Sequence, residues 1–265
     1  MIQIDLLMPA IPYPLDILLS RRQIFLWIGL VISFGRDCYS QNISHSDSLE
    51  YQLQLALFDD AIGIENTGII NGTKYTVPLQ TSGTHPFYNA GTGAAGNVVF
   101  VEQPYFNLIL LYDIYSDELI VQQRRANGVH ALIKLYKASV ESFRIHGHAF
   151  RNYRGEKAQN LGMASGFYDV LYENSVFTLV ARRRKKTHVD MGLVQYENED
   201  QYFFIQQERF TPFHGMKSFY QVLGNKDLIS ELRSFVSKNN LKIKKSDSDL
   251  IVAARHCDAI LNKRK

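Results

Sequence analysis

Residues 105–123, YFNLILLYDIYSDELIVQQ, are the longest uninterrupted run of strand-forming residues in the chain, and they restrict its folds more than any other stretch. Phe106, Leu108 and Leu110 fall on one side of a ribbon of period two, and Ile109 and Leu111 on the other. An arm apolar on both faces belongs inside a sheet, with strands or other structure covering both sides. From Tyr112 to Tyr115 polar and apolar residues alternate into Ser116-Asp117, a pair suited to a tight turn, and residues 118–122 run back as a second arm. The stretch predicts a β-hairpin at the centre of a mostly antiparallel sheet.

The rest of the chain repeats this grammar at short intervals. Segments 98–101, 129–136, 140–145, 166–172 (GFYDVLY), 176–182 (VFTLVAR) and 201–207 (QYFFIQQ) read as further strands, joined by turn residues such as Glu173-Asn174-Ser175 and by the charged stretch 182–200. The alternation of Leu49, Tyr51, Leu53, Leu55 and Leu57 suits another strand, with a short helix as the alternative. Ile69 to Tyr75, with Asn71-Gly72 at its middle, reads as a small hairpin, while 81–97 and 152–161 read as loops. Fifteen Tyr and sixteen Phe in 265 residues favour such pleated, half-buried surfaces. Nine or ten short strands in all predict a mainly β fold, an antiparallel meander forming an open barrel or sandwich and closed or half-closed on itself.

Two flanking regions differ from this body. Near the N-terminus Arg21-Arg22 precedes IFLWIGLVISF (residues 24–34) and the small residues Cys38 and Ser40, the order of a secretory signal, with cleavage expected between Ser40 and Gln41. Eleven mostly apolar residues fall short of the roughly 20 that span a bilayer, so no stable transmembrane span is expected after cleavage. Residues 1–40 are therefore read as signal and N-terminal extension, with an uncleaved anchor or an N-terminal core element as the alternatives, and 41–265 as a single exported domain. Arg36 and Asp37 before Cys38 argue against a lipid-attachment cysteine. Cleavage removes Trp27, the only tryptophan, and leaves Cys257 as the only cysteine. The exported form is expected to emit as a tyrosine-only protein; indole fluorescence from the native secreted material would refute cleavage.

At the other end, residues 217–265 carry eleven Lys/Arg against five Asp/Glu, whereas 41–216 are mildly acidic. Here the period changes. Asn225 can cap a helix with Leu228, Ile229, Leu232, Phe235 and Val236 as its apolar stripe, and Asn239-Asn240 ends it. Ser246 with Asp249 resembles a capping box for a second helix, with Leu250, Ile251, Ala254, Cys257 and Leu261 on one face. A C-terminal pair of α-helices, over about 225–262, is expected to pack on one edge or face of the sheet.

In order and spacing, YDIYSDELIVQ (112–122), GFYDVLYENSVFTLVARRRKK (166–186) and KDLISELRSFVSKNNLKIKKSDSDLIVAARH (226–256) resemble a group of exported proteins of unknown function common in Bacteroidota. The resemblance spans residues 67–262 and implies an exported β-rich product. It implies no activity.

Several motifs invite chemistry. Gly91-Thr-Gly93-Ala-Ala-Gly96 matches the dinucleotide-binding glycine pattern, but a strand-like segment follows it where a helix N-terminus is required, so it reads as a loop and no cofactor is assigned. His146 and His148, two apart and expected on one strand face, are the candidate metal ligands. Arg182, Arg183, Arg184, Lys185 and Lys186 are the candidate anion-binding run; they continue a strand, with Glu197, Glu199 and Asp200 expected across a hairpin, which suits a solvated strand end better than a nucleic-acid interface. Ser165 lacks the glycine elbow of a hydrolase, His256 and Cys257 are adjacent and diverge on a helix, and Asp113 and Asp117 read as turn residues. Asn42 and Asn71 match glycosylation acceptors that a bacterial protein would leave unused.

No complete catalytic constellation is present. The reading is an exported protein of the periplasm, the outer-membrane surface or the extracellular space. Its role is binding, with another envelope protein, a lipid or a glycan as partner, or a structural accessory to a neighbouring gene product; it takes no nucleic acid. The competing reading is a metal-dependent hydrolase around His146 and His148.

Overall fold

The computed structural model describes residues 45–63, 67–77, 83–124, 128–223, 226–242 and 246–263. The segment read as a signal, with Trp27, Cys38 and the expected cleavage point, lies outside them, as do Asn42 and the expected Asn225 cap. In chain order the elements are α1 (His45–Ile62), a 3-10 turn (Gly68–Ile70), β1 (Thr73–Lys74), β2 (Ala94–Phe100), β3 (Gln103–Asp113), β4 (Glu118–Arg124), β5 (His130–Lys134), a second 3-10 turn (Lys137–Ser139), β6 (Val140–Ile145), β7 (His148–Tyr153), α2 (Gly155–Leu161), β8 (Gly166–Glu173) and β9 (Thr178–Arg182). Then come β10 (Lys185–Asp190), β11 (Leu193–Asn198), β12 (Gln201–Gln206), β13 (Arg209–Phe213), α3 (Met216–Leu223), α4 (Lys226–Lys238) and α5 (Asp247–Lys263). The chain divides into two compact units, Met1–Ser48 and Leu49–Lys265, and every strand and the three C-terminal helices belong to the second.

The expected central hairpin forms: β3 and β4 pair antiparallel from Leu110↔Val121 to Asp113↔Glu118. They lie inside an antiparallel sheet of eleven strands in the order β1-β5-β4-β3-β2-β6-β7-β8-β9-β12-β13, which stays open because its two edge strands do not meet. Two meanders make it up. The first, β2 to β5, grows one way from β2; the chain then crosses back through residues 135–139 and starts the second, from β6, on the other flank of β2. β10 and β11 form a separate two-stranded ribbon inserted between β9 and β12.

The sheet is strongly curled, and bulges in β2 and β8 bend it. Tyr112 on β3 meets Phe143 on β6, Phe150 on β7 and Phe167 on β8 at ring separations of 5.1, 5.0 and 5.8 Å, although β2, β6 and β7 stand between β3 and β8. Phe143 and Phe150 also stack at 4.7 Å. These rings fill the hollow of the sheet together with Leu108, Leu110 and Val98. Each fully buried side chain of this kind contributes roughly 1.5–3 kcal/mol.

The helices cover the other end. Leu228, Leu232 and Val236 of α4 and Leu250, Ala253, Ala254, Cys257 and Ile260 of α5 are buried against Leu179, Ala181, Phe204 and Phe213 of the sheet, so the C-terminal pair forms as expected. Ser246 caps α5 by accepting from the Asp249 amide at 3.3 Å, but the Asp249 carboxylate turns to the Lys242 amide, at 2.7 Å, and the capping box is half made. Burial pushes the Cys257 thiol up to about 11, which suits an inert packing residue.

Four segments depart from the expectations. Residues 45–62 are helical, and Tyr51, Leu53, Leu57 and Phe58 stay exposed. Residues 69–75 make no hairpin: β1 pairs instead with β5, through Thr73↔Lys134 and Lys74↔Ile133. Residues 155–161 are helix, closed by Gly162 in the left-handed conformation. Finally β13 and α3 occupy residues where no element was expected.

Candidate functional site

The histidine pair does not stand on one strand face. His146 and Gly147, with φ of 52° and 78°, make the turn between β6 and β7, and His148 opens β7. Both rings border Tyr88, at 6.2 and 5.6 Å. His148 is engaged elsewhere: its Nδ1 lies 2.8 Å from Asp169 Oδ2. That hydrogen bond outweighs desolvation and raises the His148 pKa. The stability that this contact contributes is therefore fully present below the ordinary histidine value and is lost as pH climbs through the raised one. Among the described residues no group of three or more His, Cys, Asp or Glu could hold a metal ion.

The basic run is likewise no single patch, because the chain aims its five members differently. Arg183 is 3% exposed and bonds three carboxylates: Nε donates to Asp169 at 2.9 Å, Nη1 to Asp200 at 2.8 Å and Nη2 to Asp247 at 2.6 Å. Burial opposes its charge, but Asp169, Asp200 and Asp247 outweigh that and its pKa is raised. It remains a cation, flanked by the rings of Tyr88 and Tyr202. Lys185 donates to the carbonyls of His85 and Phe87, at 2.6 and 2.9 Å, and its pKa is lowered by burial. Lys186 faces Glu197 at 3.5 Å across the β10–β11 ribbon, as expected, Arg182 turns toward Ser165 and Asp117, and Arg184 is exposed. The cluster around Arg183 ties β7, β8, the start of β12 and the first turn of α5 together, which is a structural task.

The glycine pattern has a packing explanation. A Cβ on Gly93 would stand 2.5 Å from Ile109 Cγ2, and one on Gly96 2.3 Å from the Arg144 carbonyl. Gly96 already lies in β2, so the strand begins earlier than expected and no helix follows. The glycines let neighbouring strands approach.

A cavity of about 700 Å³ opens at one end of the strands where the crossover 135–139 passes. Its walls come from segments 71–73, 116–118, 134–138 and 165–166 with Asn152 and Arg154. Asn152 pins the crossover by donating to the carbonyls of Lys137 and Val140, both at 2.8 Å. Asp117, a turn residue as read from the sequence, has φ 58° and reaches into this wall, where it accepts from Tyr112 Oη at 2.7 Å and pairs with Lys137. Its neighbour Gly166 leaves no room for a side chain, since a Cβ there would lie 2.4 Å from Asp117 Oδ2. Glu118 pairs with Lys134 at 2.9 Å. Comparison with protein-family models, with curated proteins and with solved structures returns no match. The functional reading of the cleft therefore rests on its own groups.

Both carboxylates of the wall, Asp117 and Glu118, are held in ion pairs. Beside apolar surface such as that of Leu135 and Ala138, the wall presents hydroxyls and amides from Asn71, Thr73, Ser116 and Ser165, with Tyr136 exposed by 67% at the rim. Such groups can donate to and accept from a polyhydroxylated molecule. Sequence reasoning misses this site because its parts come from separate segments and are individually ordinary turn residues.

Proposed function

We propose that this chain is an exported, non-enzymatic binding protein of the cell envelope or extracellular space, and that it holds a carbohydrate in the cleft beside the crossover. The observation that carries the reading is Tyr136, a tyrosine exposed by 67% on a segment fixed by two hydrogen bonds from Asn152, at the rim of a cavity whose largely apolar lining is dotted with hydroxyl and amide groups. A tyrosine face offers an apolar platform to the C–H face of a sugar ring, while the neighbouring hydroxyls and amides can both donate to and accept from its hydroxyls. Pinning the platform beforehand reduces the ordering cost of binding. The cavity also falls within the size range of small-molecule sites, roughly 300–1,000 Å³. Export rests on the leader-like order of residues 21–40 and on the resemblance to exported proteins.

The test is calorimetric titration of the exported protein with a panel of neutral and acidic oligosaccharides, repeated on Tyr136→Ala. Binding by at least one saccharide is expected, and the substitution should weaken it roughly tenfold or more, the loss typical of an aromatic anchor. A panel without a binder, or a variant that binds as well as the parent, would overturn the reading.

A further inference from the structure

The geometry points to an acidic ligand: an oligosaccharide carrying carboxylates, laid across Tyr136 with one carboxylate on Arg154. This deepens the carbohydrate reading above and rests on it.

Two features of the cleft select this class. The first is charge. Its wall carries three cations, Lys134, Lys137 and Arg154, against two carboxylates, Asp117 and Glu118. Lys134 is matched by Glu118 and Lys137 by Asp117, so the surplus sits on Arg154. Among the described residues the Arg154 guanidinium has no ion-pair or hydrogen-bond partner, and it is exposed at the junction of β7 and α2. A free guanidinium offers a planar fork of donors matched to a carboxylate. Arg182, 4.0 Å from Asp117, adds positive potential behind the wall.

The second feature is extent. A smaller cavity, about 490 Å³, lies on the other side of the same rim and shares Asn71 and Tyr136 with the first. Its lining includes Phe100, Val101 and Tyr105, so it is more apolar. Tyr136 thus stands as a ridge between a net-positive hollow, whose mostly apolar lining carries charged and polar groups, and a more apolar one. A ligand of several linked rings can stack on the ridge and enter both hollows, with its charged unit on the Arg154 side. A single sugar fills only one.

The experiment uses the exported full-length product with tetragalacturonate, its fully methyl-esterified form, digalacturonate and tetraglutamate. The ester keeps the sugar backbone and removes the charge, adding a methyl at each carboxyl. Tetragalacturonate is expected to bind at least tenfold more tightly than its ester, the margin shrinking as salt is raised, and more tightly than digalacturonate. Arg154→Gln should abolish the preference, so that acid and ester bind alike, and an unfolding transition unchanged from the parent's shows that the variant is folded. Equal binding of acid and ester, or a preference that survives Arg154→Gln, would overturn this inference and leave the carbohydrate reading standing. Binding of tetraglutamate without any saccharide would overturn both.

Discussion

Replacing Arg183 by leucine is expected to destabilise the folded chain by about 3–5 kcal/mol, because it strands charges that are buried together. Asp169 is fully buried, and its Oδ2 takes two donors from Arg183 besides its contact with His148. Without the guanidinium, Asp169 keeps one partly exposed imidazole, and Asp200 and Asp247 lose the cation that joins them. The loss should be local first. Asp247 begins α5, so amide exchange along α5 should accelerate more than exchange in β2 and β3. Arg183→Lys should recover only part of the loss, since a compact ammonium cannot fork to three carboxylates. Urea unfolding of the two variants beside the parent measures this. A leucine variant within about 1 kcal/mol of the parent would show the cluster to be dispensable.

Truncating Phe143 to alanine is expected to cost a similar amount, about 3–5 kcal/mol, by a different route. Phe143 is 2% exposed and touches Tyr112, Phe150 and Phe167, three rings contributed by three other strands. The cavity left cannot collapse without uncurling the sheet, and the melting temperature should fall by about 10 °C for a unit of this size. Phe235→Ala is the control. That ring is half-buried on α4, stacked on His256 at 3.7 Å, and its loss should shift the melt much less. Equal shifts for the two would mean that the hollow of the sheet does not carry the stability assigned to it.

Where sequence and structure agree, the signal is local and strong. The 105–123 hairpin combines unbroken period-two alternation with a turn, and α4 and α5 carry apolar stripes that no strand could use. The misread segments show what competes with periodicity. Leu49 to Leu57 alternates like a strand, yet Leu, Gln, Glu and Ala are good helix formers; α1 lies outside the sheet, and local propensity decides. Thr73 and Lys74 find their partner about sixty residues later, on β5, and no local pattern announces that. β13 contains Pro212, which discourages a strand assignment but is tolerated here because β13 is an edge. Residues 155–161 do carry readable signals, helix-forming residues followed by Gly162, which their polarity outweighs.

For the candidate site the boundary is sharper. The charge pairing of the β10–β11 ribbon is legible, because Lys186 and Glu197 are separated by one turn. Asp169 and Asp247, which complete the Arg183 cluster, come from another strand and a distant helix, and the run of like charge hides that its second member points inward. The cleft is invisible for the same reason: Arg154, Tyr136 and Asp117 share no spacing that chemistry would require.

The passage of the chain through residues 135–139 has one more consequence. It connects two ribbons, β2 to β5 and β6 onward, which the β2–β6 pairing sews together, and the cleft takes its walls from both. A molecule lodged there grips both halves at once, so every increment of its affinity is added to their cohesion. The occupied protein should come apart later, and more nearly as one body, than the empty one.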